Sequence, residues 1–220
     1  MIRTDIEARI LEVTSKSNAN HRYASFDYCF NYFRTTEDLK KDVEKSCLTL
    51  GFYLASWGMF RGSSFLVQKS AKYFEPTIHY ISELDYSIGE IDVDNYTDRN
   101  IHTIIDVYNG IKDRVIIDRK TDLTLVSKIL LGVFGFIPAF DTYFTAAFRK
   151  ICDGQCNFRR VDTQSLTVIK DFYDINRTQI DNLSHQIFTT DFITGQKTTI
   201  NYPKAKIIDM YGFIVSQDQC

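Results

Sequence analysis

The sequence predicts an all-α protein: a single helical domain, residues 1–220, made of two intimate helical lobes. Three observations predict it. Apolar residues recur at three- and four-residue spacing along most of the chain, the signature of amphipathic helices. The 220 residues are 44% hydrophobic and 14% aromatic, enough for a sizeable core and too apolar for disorder. No repeat, Ser/Gly linker or low-complexity tract divides the chain.

Taken in order, Ile6, Ile10, Leu11 and Val13 mark a short N-terminal helix. Thr36 stands as a capping hydroxyl before "EDLKKDVEKSCLTLGFYLASW", acidic at its start and apolar at helical spacing, which enters the core. Ser63 or Ser64 is expected to cap a third helix through "FLVQKSAKYF", with Pro76 either kinking it or starting its continuation, "PTIHYISELDY". "NIHTIIDVYNGIKDRVI" gives another amphipathic helix, and "TDLTLVSKILLGVFG", apolar on nearly every side, a central one. After Pro138, "AFDTYFTAAFRKI" resumes the helical pattern, and "TQSLTVIKDFYDINRTQIDNLSHQI" is a long helix with polar faces. "FTTDFITGQKTTINY" alternates β-prone residues about Gly195 and fits a small C-terminal β-hairpin; "PKAKIIDMYGFIV" closes the chain with Pro203 at the first helical position.

Composition narrows the function classes. With 26 Lys+Arg against 28 Asp+Glu, the formal net charge of −2 gives no global attraction to a polyanion, so any nucleic-acid contact must be local. The charged N-terminus does not read as a signal peptide and no run reaches a membrane span, so a soluble, cytoplasmic protein without membrane partners is expected. Cys29, Cys47, Cys152, Cys156 and Cys220 are too few and too scattered for a disulfide framework. Cys152 and Cys156 fit one helical turn, but no third ligand stands at a recognisable spacing, so neither a metal nor another cofactor is expected. GxxxxGK[ST], HExxH, GxSxG and the kinase set are missing.

Two glycine-containing elbows remain as site candidates, "LASWGMFRGSSFL" and "GVFGFIPAFD". The first offers Trp57, Phe60 and an Arg61 flanked by Gly58 and Gly62 and followed by Ser63 and Ser64. An Arg fork beside a helix N-terminus suits phosphate or carboxylate, although an Arg paired with an internal acid suits the same pattern. The second sets Lys128 on an apolar helix, then a turn, then Phe140, Asp141 and Tyr143. A carboxylate at that point also has a structural use, accepting backbone N–H bonds as a helix cap.

Ser127-Lys128-Ile129-Leu130 followed by "GVFGFIPAFDTYF" resembles the segment of helix-hairpin-helix DNA glycosylases in which an apolar helix and a turn deliver an Asp to the mouth of the active site. "LASWGMFRGSS" is similar to a segment of poorly characterised bacterial proteins with the same downstream "SK…P…D" pattern. The resemblance implies that Asp141 is the catalytic carboxylate, stabilising positive charge on the deoxyribose or activating water while a flipped base leaves. Trp57, Arg61, Ser63, Ser64, Lys128 and Tyr143 then become substrate-binding candidates and DNA the partner. Arg149, Lys150, Arg159 and Arg160, just beyond, become candidates for the DNA backbone. Two departures are plain. "KTDLTLVSK" holds no glycine where the family has its phosphate-binding hairpin, and neither Lys128 nor Lys120 stands where lyase-capable members carry their Schiff-base lysine. The competing expectations are a non-catalytic DNA- or protein-binding module on the same scaffold, and a regulator binding a small anion at "GMFRGSS".

Overall fold

The computed structural model describes residues 5–116 and 123–217. It is all-α, with one small antiparallel hairpin near the C-terminus. Among the described residues there are nine α-helices: α1 (Ile6–Ser15), α2 (Ala24–Thr35), α3 (Val43–Ser56), α4 (Glu75–Glu83), α5 (Asp98–Val115), α6 (Leu123–Val133), α7 (Thr142–Ile151), α8 (Thr163–Gln186) and α9 (Lys204–Gln217). Strands β1 (Phe188–Thr190) and β2 (Lys197–Asn201) lie between α8 and α9. Buried apolar side chains from Ile6 to Tyr211 form one contiguous cluster. No helix of the described residues is long and apolar enough to cross a membrane.

The centre of the fold is α6. Every residue from Leu125 to Val133 is buried, including Ser127 and Lys128, as expected of a helix apolar on nearly all sides. It packs between α2, α3 and α5. Beyond α6 the chain runs irregularly to Asp141, and Gly135 to Phe140 are all buried. Gly135 turns the chain out of α6 at φ +72°, a conformation that glycine adopts without Cβ strain.

A buried irregular segment must find partners for its backbone, and here side chains supply them. The Ser127 hydroxyl accepts from the Phe140 N–H at 2.8 Å, Asp209 Oδ1 accepts from the Ala139 N–H at 3.0 Å, and the Thr124 hydroxyl donates to the Phe140 carbonyl at 3.2 Å. The Tyr96 hydroxyl donates to the Phe136 carbonyl. Asp141 is thus delivered by a segment pinned from α6, α9 and the Tyr96 turn.

Several expected boundaries move. The helix α2, "ASFDYCFNYFRT", has no predicted counterpart; Thr36 ends α2 rather than starting the next helix. The start signals of α3 are Asp38, which caps a 3-10 turn at Leu39–Asp42, and Asp42, which accepts from the Lys45 N–H. The expected third helix is two 3-10 turns, Phe65–Gln68 and Ala71–Phe74, and a true α-helix begins only at Glu75 with Pro76 in its first turn. Pro203 stands one residue before the first helical residue of α9, its carbonyl accepting from the Ile207 N–H. Lys120 and part of "KTDLTLVSK" lie outside the described residues, as does Cys220.

Candidate active site

The two elbows converge. A cavity of about 1080 Å³, large enough for a nucleotide-sized ligand, is lined by Trp57, Gly58 and Arg61 from the first and by Lys128, Asp141 and Tyr143 from the second. Helices α1, α2 and α9 and the hairpin complete its wall.

Asp141 does two things at once. One oxygen, Oδ1, accepts from the Phe144 N–H at 3.0 Å and caps α7; the other, Oδ2, meets the Lys128 ammonium at 3.2 Å. The carboxylate side chain is 20% exposed and its lysine 7%, so the pair sits at the inner wall of the cavity. The capping role and the ion-pairing role therefore belong to different oxygens. The Ser127-Lys128 step now has a physical explanation: Ser127 holds the segment that carries the aspartate, and Lys128, the next residue, holds the aspartate itself.

A second pair mirrors the first. On α9, Lys206 Nζ lies 2.9 Å from Asp209 Oδ2 with side-chain exposures of 4% and 13%, while Asp209 Oδ1 takes the Ala139 N–H. Both ammoniums face the indole of Trp57, Lys206 at 4.7 Å and Lys128 at 5.4 Å from the ring centroid, within cation–π range. The Trp57 Nε1–H is buried and has no hydrogen-bond partner among the described residues.

From Trp57 an aromatic run follows the cavity wall. Tyr23 stacks on the indole at 5.4 Å, Phe213 meets Tyr23 edge-on at 6.3 Å, and Tyr143 meets Phe213 at 5.3 Å. Tyr143, 43% exposed, carries the run to the surface. Arg22 and Arg61, both exposed, add positive charge to the lining, and Arg22 stacks its guanidinium on Tyr23 at 4.9 Å. Arg61 folds back over Gly58, whose φ of +79° and missing Cβ leave the guanidinium room: a Cβ there would stand 2.7 Å from Arg61 Nε.

No family model, curated protein or solved structure matches this chain.

A third carboxylate lines the same cavity. Asp27, on α2, accepts from the Tyr202 hydroxyl at 2.6 Å and the Thr190 N–H at 2.8 Å. Burial pushes its carboxyl above the usual range, against those two donors and the Lys197 charge.

Of the candidates named from sequence, Trp57, Arg61, Lys128, Asp141 and Tyr143 share the cavity. Ser63 and Ser64 do not line it: Ser63 is exposed, and the Ser64 hydroxyl accepts from the Leu66 N–H to start a 3-10 turn. Phe60 packs on Phe74 and Phe140 on Phe144, as core. Arg149 and Lys150 are exposed in the last turn of α7, about 12 Å along the helix from its cap. Arg159 and Arg160 line a separate cleft of about 260 Å³. Cys152 and Cys156 are both buried, with Cys156 Sγ accepting from the Phe158 N–H.

Sequence reasoning missed Tyr23, Asp27, Lys206, Asp209 and Phe213. For Lys206 and Asp209 a signal existed: two opposite charges three apart on a helix otherwise apolar from Ile207 to Val215 belong to a buried pair. The lone Lys128 within "LVSKILLGV" is the same signal in weaker form.

Proposed function

We propose that this chain is a DNA N-glycosylase-like protein, which takes one unstacked base of DNA into the Trp57 cavity and hydrolyses its N-glycosidic bond. A single observation carries the proposal: Asp141, anchored by Lys128, lines a cavity large enough for a nucleotide and walled by a run of aromatic rings. Aromatic faces suit any base, and extruding a base from the duplex is the step that brings its sugar to a protein carboxylate. The hairpin beside the cavity supports the same reading. Its tip exposes Phe192 at 75% and Ile193 at 91%, apolar side chains of the type that wedge between base steps.

In chemical terms the C1′–N bond breaks with its electron pair going to the base. The sugar becomes an oxocarbenium-like cation, and the negative charge of Asp141 stabilises it from the cavity wall. Water adds at C1′ and releases a proton, which neutralises the departed base; the products are the free base and an abasic sugar. Arg22 and Arg61 at the lining, and Arg149 and Lys150 on α7, are the cations proposed to hold the flanking phosphates. Arg159 and Arg160 would extend that contact.

One observation favours a non-catalytic binding module instead: both oxygens of Asp141 already have partners within the protein. Incubation with DNA carrying normal, deaminated, oxidised and alkylated bases, followed by alkaline cleavage at abasic sites, separates the two. Asp141-dependent cleavage is expected for at least one substrate. Cleavage by none, or equal cleavage by Asp141→Asn, leaves the binding module.

A further inference from the structure

At the inner end of the cavity several hydrogen-bond donors lack an acceptor. Every carboxylate oxygen there already accepts from one protein donor: Asp141 from Phe144 N–H and Lys128, Asp209 from Ala139 N–H and Lys206, Asp27 from Tyr202 and Thr190 N–H. Each ammonium offers three N–H bonds, and Lys128 and Lys206 each meet one carboxylate oxygen. Their other neighbours are ring faces, Trp57 for both and Phe26 for Lys206, which attract charge without accepting a conventional hydrogen bond. The buried Nε1–H of Trp57 adds another unmet donor. The groups that face or belong to the indole and still have hydrogens to give are therefore the two ammoniums and Nε1–H.

Charge decides what kind of acceptor fits. Two lysines face two aspartates, so the cluster is already neutral by pairing. A phosphate brought between the two buried pairs would add charge that neither pair can meet, whereas the other cations of the lining include Arg22 and Arg61, which are exposed. A neutral carbonyl oxygen or ring nitrogen takes the spare N–H bonds without that cost.

We propose that the Lys128–Lys206 pair reads the keto edge of a base, so that the cavity selects 6-oxopurines and 4-oxopyrimidines over their amino counterparts. This rests on the nucleobase reading of the cavity and names its substrate class. An exocyclic amino group at the same position would set donor against donor and leave the indole N–H without an acceptor.

Trp57 is the only tryptophan of the chain, so its fluorescence reports the cavity directly. Uridine and inosine are titrated against cytidine and adenosine. The keto nucleosides are expected to bind at least about tenfold more tightly, and Lys206→Met to shrink that ratio to roughly threefold or less. If circular dichroism shows Lys206→Met unfolded, the Lys206→Met/Asp209→Asn double variant removes both charges together, keeps an acceptor for the Ala139 N–H, and carries the same expectation. Equal or tighter binding of the amino nucleosides overturns the proposal. So does an unchanged ratio in the folded variant, or no response to any nucleoside up to about 10 mM. The titration involves no bond cleavage. Keto preference without base release from any DNA would sink the hydrolysis and leave the keto readout standing; base release confined to amino-bearing bases would do the reverse.

Discussion

Replacing Asp141 by Asn separates the two jobs of this side chain. The carboxylate accepts one backbone N–H with Oδ1 and one ammonium with Oδ2, whereas an amide has a single oxygen to offer. Asn either keeps the cap and turns its NH2 toward Lys128, or accepts from Lys128 and leaves the Phe144 N–H without its cap. Loss of a cap costs about 1 kcal/mol, and breaking a fully buried ion pair about 3–5 kcal/mol. With Asp141 20% exposed, water relieves part of the second cost, and about 2–3 kcal/mol is expected. At about 2–4 °C per kcal/mol for a chain of this length, Tm falls by about 4–12 °C, and the variant stays folded at 25 °C. Single-turnover base release, by contrast, falls at least about 100-fold, because the charge opposite the oxocarbenium is gone. Ser127→Ala is the control: it loosens Phe140 yet leaves the carboxylate in place. The reasoning is refuted if Asp141→Asn releases base at the wild-type rate, or if Ser127→Ala loses as much activity at equal stability.

Three further outcomes follow from the geometry. Gly132→Ala would set a Cβ 2.3 Å from Tyr53 Cε1, whose buried ring anchors its hydroxyl on the Lys128 carbonyl; a net loss of about 1–2 kcal/mol is expected in thermal melts, and a stabilised variant would contradict the packing of α3 on α6. Asp92 takes the Lys204 and Ala205 N–H groups at the start of α9, and burial pushes its carboxyl up to about 6 despite those donors. A raised carboxyl holds its proton longer in the folded state, so its contribution to stability is lost as pH rises from about 4 to about 6. The Tm deficit of Asp92→Asn relative to wild type should therefore narrow across that window; a constant or widening deficit would contradict it. Phe192→Ala and Ile193→Ala, at the exposed hairpin tip, should change stability by less than about 0.5 kcal/mol yet weaken duplex binding several-fold in a fluorescence-anisotropy titration, and unchanged binding would remove the wedge.

How much of this was legible in the sequence depends on how each residue announces itself. The central helix α6 and the capping position of Asp141 were readable, because continuous apolarity and an aspartate ahead of "TYFTAAF" each have one dominant structural use. Helix α2 was not. Its start, Tyr23, has no side-chain cap, and its buried face of Phe26, Phe30 and Phe33 is built from aromatics of weak helix preference. Missing α2 hid Asp27 with it. Ser63 and Ser64 misled for the opposite reason: two hydroxyls before an apolar run resemble a helix start, but the segment closes 3-10 turns against the core instead. The convergence of Arg61 and Trp57 with Asp141 depends on α3 packing against α6, a contact between residues some 75 positions apart that no local pattern encodes.

The most direct measurement of the central claim is the crystal structure of Asp141→Asn bound to a duplex carrying a base that the wild-type protein releases. The account predicts that base out of the stack and inside the cavity, its keto edge on the ammoniums of Lys128 and Lys206 and its C1′ facing residue 141. A base still stacked in the duplex, with the cavity closed to it, would contradict the account.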